Sequence, residues 1–308
     1  MSDAGSPPQS KPPESIDAVP LSHPWRWVAA AVIIILVALF LWGAATNPAY
    51  GWSTYSEYLF NERILLGVFN TLQLTIYSMV IGVVLGVLLT VMRLSENPVM
   101  SAVSWVFLWI FRGTPVYVQL AFWGLFPTIY QNLQLGVPFG PSLLHVDLQS
   151  LSFPFALAVI GLALNEAAYM AEIVRAGITS VPEGQMEAST ALGMSWGKAM
   201  RRTVLPQAMR VIIPPTGNEL ISLLKTTSLV TAVPYAFDLY SIATREIAAR
   251  IFEPVPLLLV AATWYLIITS VLMVGQFYLE RYFSRGASRK LTTKQLEALA
   301  LAQKPAAG

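Results

Sequence analysis

Asn165, Glu166, Tyr169 and Glu172 stand inside one apolar stretch of this chain, and Lys225 inside another. On a helix, Asn165, Tyr169 and Glu172 share one side, with Glu166 beside them. Carboxylates and amines at membrane depth are costly, so they face a cavity, a partner or a substrate. Two readings of these groups stand side by side. Glu172 can form a structural pair with Arg175 on the next turn, while Asn165 and Glu166 are left to face a cavity, a partner or a substrate. Lys225, on a face shared with Asn218 and Ser222, either meets a substrate carboxylate or neutralises a carboxylate on another helix. The second is favoured, because buried charges persist when paired. Arg112, interrupting a third apolar stretch, is expected to snorkel to the membrane surface.

Catalytic chemistry finds little support. The chain has no cysteine and two histidines, His23 and His145, so a thiolate or imidazole metal site is hard to build. No HExxH or GxSxG motif occurs. The run Gly193-x-x-x-Gly197-Lys198-Ala199 lacks the spacing and the Ser or Thr of a phosphate-binding loop, so ATP is not bound by that motif. No cofactor is implied.

The elements that hold these residues are membrane helices. Of 308 residues, 55% are apolar and 12% charged, and the mean hydropathy is +0.59. A soluble domain carries roughly 25% charged residues. A net charge of +2 gives no support for a nucleic-acid partner. Residues 1–24, rich in Pro and Ser, read as a disordered tail, and the late, long apolar core after it reads as a retained first span.

Six segments approach the ~20 apolar residues that a bilayer requires: 28–46, 71–92, 103–126, 153–173, 211–233 and 255–278. The third is expected to include an interfacial helix leading into a span from about Pro115. The fifth, with Asn218, Glu219 and Lys225, is expected to be buried inside the protein. Of the 19 Lys and Arg residues, only Arg63, Arg245 and Arg250 fall in outside loops if the tail begins in the cytoplasm, and Lys225 lies in a span. Both termini are therefore placed in the cytoplasm. Gly82 and Gly86 form a GxxxG pair read as packing within the bundle.

Residues 180–206 are too polar to span. Ser180 with Glu183 has the spacing of a capping box, and Pro182 suits a first helical turn. A short helix is expected to about Leu192, ended by Gly193. A second is expected to be capped by Ser195 and limited by Pro206. Without a partner, such a hairpin would be an ordinary interfacial segment.

Glu187, Ala188, Ser189, Gly193, Leu205 and Pro206 resemble the EAA loop of ABC-importer permeases, EAA-x3-G-x9-I-x-LP, with Ser189 and Thr203 departing from the usual Ala and Ile. FNTLQLTIYS from Phe69, FRGTPVYVQL from Phe111, AAYMAEIVRAGI from Ala167 and GNELISLLKTTSLV from Gly217 resemble the polar amino acid branch with its MetI-like transmembrane domain. The likeness covers about residues 66–279.

It implies an all-α integral membrane protein of about six transmembrane helices with a cytoplasmic helix–Gly–helix coupling loop. Residues 25–65 would carry a first helix and external loop, and 280–308 a cytoplasmic tail. The implied role is a permease of the bacterial cytoplasmic (inner) membrane, driven by ATP hydrolysis on a separate subunit. Its partners would be an ABC ATPase that receives the hairpin, an extracytoplasmic amino-acid-binding protein, a second permease copy or homologue, and membrane lipid. Asn165, Glu166, Tyr169 and Lys225 would line the substrate pathway, Glu166 meeting an amino acid's ammonium. The competing class is a secondary amino acid transporter driven by an ion gradient, for which no internal repeat is found between the halves.

Overall fold

The computed structural model describes residues 24–130, 132–136, 142–147 and 154–283. The N-terminal tail and a short helix expected at 292–302 lie outside the described residues. The chain divides into two units, residues 1–50 and 51–308.

The first unit carries α1 (Pro24–Thr46), apolar around its whole circumference and with no buried residue. The second opens with α2 (Trp52–Tyr58) and α3 (Glu62–Arg93), whose N-cap Asn61 accepts from the Arg63 amide. Next come α4 (Pro98–Gly113) and α5 (Val116–Ile129), bent by 107° where Thr114 and Pro115 turn extended. Proline disfavours helical geometry in the residue before it, which puts the break there.

Strands β1 (Asn132–Gly136) and β2 (Ser142–Asp147) pair antiparallel as a small hairpin in the loop between the third and fourth expected spans. Then follow α6 (Pro154–Thr179), α7 (Glu183–Ala191), α8 (Trp196–Ala199) and α9 (Leu205–Thr226). A π-helical turn, Met200–Val204, joins α8 to α9, and a 3-10 turn, Thr227–Ala232, extends α9. The chain closes with α10 (Leu239–Ser241), a second π turn, α11 (Ala248–Ile251) and α12 (Pro254–Phe283).

Four described helices, α1, α3, α6 and α12, are long and apolar enough to cross a membrane, or five spans if the bent α4–α5 pair is one. The fifth expected span, α9, is not among them, because Arg210, Glu219 and Lys225 dilute its hydropathy. Nor is α9 buried all round. Ala208, Ile212, Ile221, Leu223 and Leu224 are buried, whereas Asn218 and Lys225 lie exposed on another face.

The core forms where α3 meets α6. A Cβ at Gly82 would lie 2.8 Å from Glu166 Cγ, and one at Gly86 2.6 Å from Met170 Cβ, so the GxxxG pair is packing within the bundle. Small residues let membrane helices approach until backbone carbonyls become reachable. Thr90 Oγ1 accordingly donates to Ala171 O at 2.8 Å across the interface. Leu89, Leu108, Ala167 and Ala171 cluster at this contact, and Leu74, Leu120, Leu162 and Met170 belong to the larger core beside it.

Toward the opposite end of α3, Asp238 caps α10 by accepting from the Ser241 amide at 3.0 Å. Burial pushes its carboxyl above the ordinary range, and hydrogen bonds from Ser241 oppose that shift. Arg63 and Arg250, two of the cations read as lying outside, both pair with Glu246, at 2.6 and 3.6 Å.

Candidate functional site

The 180–206 segment folds as a helix–Gly–helix hairpin, with two corrections at its ends. Ser180 forms no capping box: its hydroxyl donates to Gly177 O at 2.7 Å and so finishes α6. Pro182, not Ser180, occupies the N-cap position of α7. Ser195 stands at the N-cap of α8 without a side-chain bond. Pro206 does not end the second arm. It falls in the first turn of α9, where its missing N–H and bulky ring are accommodated by the wider π turn just before it. Arg201 and Arg202 therefore sit within a helix that continues.

Gly193 turns the chain at φ 77°. The Met194 amide reaches back to Ser189 O at 3.1 Å, the bond that closes a Schellman-type helix end. Glu187 and Ala188 point outward and are exposed, as are Leu205 and Pro206, while Ser189 is buried against the other arm.

The two positions that depart from the EAA pattern meet. Ser189 Oγ lies 2.9 Å from Thr203 Oγ1 and also donates to Gln185 O at 2.8 Å. A hydrogen-bonded Ser–Thr contact thus occupies the place of the usual apolar one, and Gln207 adds a bond to Gln185 Oε1 at 3.3 Å. Ser189→Ala or Thr203→Ile alone should each loosen the hairpin by about 1 kcal/mol, the usual net worth of one hydrogen bond. The double variant should recover much of that loss, giving a nonzero coupling term in a thermal-unfolding cycle. Strict additivity would show that the contact stabilises nothing.

The residues proposed for the pathway are not brought together. Asn165 Nδ2 donates to Phe111 O at 3.2 Å and to Gln119 Oε1 at 3.0 Å. Gln119 Nε2 in turn reaches Phe111 O and Thr114 O at 2.9 and 3.0 Å. The two amides satisfy carbonyls left open by the α4–α5 bend, so Asn165 braces a broken span. Gln119 was not singled out from the sequence, although it lies within the FRGTPVYVQL stretch.

Glu166 is 3% exposed and packed against Gly82, and its Oε1 has no hydrogen-bond partner among the described residues. Lys225 is exposed beside Tyr240 and Tyr265 in a separate cavity of about 290 Å³, and no ion pair reaches it among the described residues. The carboxylate expected to neutralise Lys225 from another helix of this chain is therefore not found there.

Tyr169 belongs to a different constellation. A cavity of about 430 Å³ is lined by Arg93, Trp105, Trp109, Arg112, Tyr169 and Glu172. The Arg112 guanidinium sits 5.8 Å from the Tyr169 ring centroid and 3.7 Å from Glu172 Oε1. Arg175 holds the other carboxylate oxygen at 2.7 Å, so the expected Glu172–Arg175 pair is present and extends to Arg112. Arg112 is thus exposed and paired with Glu172 at once. The cavity thus offers both signs of charge beside aromatic faces, which suits a zwitterion better than an apolar solute.

Residues 78–285 match the family of binding-protein-dependent transport system inner membrane components. The chain is 62% identical over 292 residues to the arginine transport system permease protein ArgU of Corynebacterium glutamicum, covering 94% of this chain and 90% of that one. It is 39% identical over 210 residues to the histidine/lysine/arginine/ornithine transport system permease protein HisM of Escherichia coli K12, covering 67% and 83%. Among solved structures, an amino acid ABC transporter with histidines superposes with a TM-score of 0.61 at 30% identity, over 74% of this chain and 97% of that one. The MetNI methionine transporter, at 19% identity and a TM-score of 0.53, shares the fold.

Proposed function

The chain belongs to the binding-protein-dependent transport system inner membrane components, and from that premise we propose that it passes cationic amino acids through the cavity at Arg112, Tyr169 and Glu172. It is a membrane permease subunit of an ABC importer for polar amino acids, and ATP hydrolysis belongs to a separate subunit.

The observation that carries the cationic reading is the seat of Arg112 itself. Its guanidinium already rests between an aromatic face and a carboxylate that is shared with Arg175. An incoming guanidinium or ammonium takes that seat against Glu172, and the displaced Arg112 pairs with the substrate carboxylate. The names of ArgU and HisM point the same way. Uptake of labelled arginine by the assembled importer should be competed by lysine and histidine and ignored by glutamate. Equal competition by glutamate would remove the cationic reading.

The hairpin of α7 and α8 supplies coupling to the ATPase. Exposed Glu187 and Ala188 form its docking face, Gly193 its bend, and Leu205 and Pro206 the root of its second arm. On this reading the hairpin and both termini face the cytoplasm. A second copy or homologue packs against the Asn218–Lys225 face of α9, supported by the cost of leaving those groups to lipid.

Gly193 offers a clean test of coupling, because a Cβ there meets nothing within 4 Å and only its φ resists substitution. Gly193→Val places a β-branched residue in the left-handed region, at a cost of about 1–2 kcal/mol or more. Gly193→Asn tolerates that geometry. At equal membrane abundance, the ATPase should co-purify with wild type and the Asn variant and be depleted with Val. Indifference to both would sink the coupling role.

A further inference from the structure

We propose that the cavity at Lys225 is a first stop for the incoming amino acid, where its α-carboxylate is held by Lys225 Nζ and the Tyr240 hydroxyl before its side chain reaches Glu172. Lys225 is a cation inside the fifth expected span, a costly placement unless something answers the charge. Among the described residues no carboxylate of this chain does so. Glu246 is committed to Arg63 and Arg250, and Glu172 to Arg112 and Arg175.

The cavity beside Lys225 holds about 290 Å³, just under the roughly 300–1,000 Å³ of pockets for drug-sized ligands, and so fits one end of a small solute. Its groups match the polar end of an amino acid. The Lys225 ammonium and the Tyr240 hydroxyl make no hydrogen bond to other described residues, which leaves both free to donate. Ser228 Oγ gives its proton to Lys225 O at 2.8 Å, so it can only accept, as an α-ammonium requires. Leu258, Ala261 and Ala262 of α12 supply an apolar wall, against which a charged contact is stronger than in water.

The position of this cavity sets the order of events. A Cβ on Gly177 would collide with Ile212 Cγ1, so α6 and α9 meet there at one level. Going away from the hairpin, Glu172 lies about 7 Å beyond that level on α6 and Lys225 about 20 Å beyond it on α9, at 1.5 Å per residue. On the orientation proposed above, Lys225 is therefore nearer the side from which an imported solute arrives. A site for the carboxylate and ammonium, common to all α-amino acids, precedes a seat for the cationic side chain.

The proposal rests on the permease reading and its orientation, and not on the cation seat at Glu172. Its test uses the full chain with its ATPase in nanodiscs, without the binding protein, so that selection by another protein does not enter. Ser228→Cys gives this cysteine-free chain a thiol in the cavity wall, and Ala262→Cys a second probe on the facing helix. Alkylation of either thiol by a maleimide should slow at least threefold in saturating arginine, lysine or histidine. Agmatine, which keeps the guanidinium and lacks the carboxylate, should not protect.

Adding Lys225→Met should remove the protection at unchanged melting temperature and ATPase co-purification, and Lys225→Arg should keep it. Equal protection by agmatine, no protection by arginine, or protection that survives Lys225→Met would overturn the proposal. So would thiols that are closed to maleimide without substrate and open with Lys225→Met, because a carboxylate of the second copy would then fill the cavity. Arginine protection that persists in Glu172→Gln, with its KM for arginine unchanged, would count against the cation seat and support the separate site at Lys225.

Discussion

Gly86→Leu is expected to leave almost no folded permease in the membrane. Even a bare Cβ at this position would stand 2.6 Å from Met170 Cβ and 3.0 Å from the Ala171 amide nitrogen. The second of these is backbone and cannot swing aside. Moving α6 away would break the bond from Thr90 to Ala171 O and the longer one from Ser78 to Val159 O at 3.4 Å. Overpacking in a well-filled core costs about 1–3 kcal/mol even where side chains can adjust. A backbone contact and a lost cross-helix hydrogen bond add to that, against a total stability on the order of 5–15 kcal/mol. The measurement is membrane abundance together with melting in detergent, expected to fall at least tenfold and by several degrees. Gly43→Leu in α1, where a Cβ meets nothing within 4 Å, is the control. Equal melting of the Gly86 variant and wild type would mean that the α3–α6 contact is looser than described.

Glu172→Gln should cut uptake of cationic substrate on the order of 10- to 100-fold while ATPase association persists. The change keeps the shape and removes the charge that Arg112 and Arg175 share. A hydrogen bond to a charged group is worth about 1.5–3 kcal/mol, and each 1.4 kcal/mol is a factor of ten in affinity. The loss should appear as a raised KM for arginine, because the missing interaction is with the ground-state substrate. A merely structural role would instead lower abundance and leave the KM of the surviving protein unchanged. Retained KM in Glu172→Gln would remove this cavity from the pathway.

The hairpin was legible because its determinants are local. A glycine at the right distance after Glu187 predicts a left-handed turn, and Gly193 adopts it at φ 77°. The broken third span was legible from Pro115 for the same reason. What escaped were outcomes decided by neighbours distant in sequence. Asn165 reads as a pathway residue on the α6 face, but whether it meets a solute or the open carbonyl of Phe111 depends on where α4 breaks. Pro206 reads as a stop, yet five π-helical residues before it widen the backbone enough to admit it. Glu172 reads as a local pair with Arg175, and only the approach of α4 brings Arg112 to the same carboxylate. Four of the expected spans are long and apolar enough to cross a membrane, or five with the bent α4–α5 pair, and α9 falls short by its composition. The charges on α9 belong to a helix that shares its environment with neighbours.

That continuous arm also sets how far a motion travels. From Trp196 through the π turn, α9 and the following 3-10 turn to Ala232, no non-helical residue intervenes. At 1.5 Å per residue the rod from Trp196 to Thr226 alone is roughly 45 Å long, more than the hydrocarbon thickness. Pro206, Pro214, Pro215 and the π turn are the points at which such a rod can bend, so their stiffness decides how much of a displacement at the hairpin reaches the end bearing Lys225.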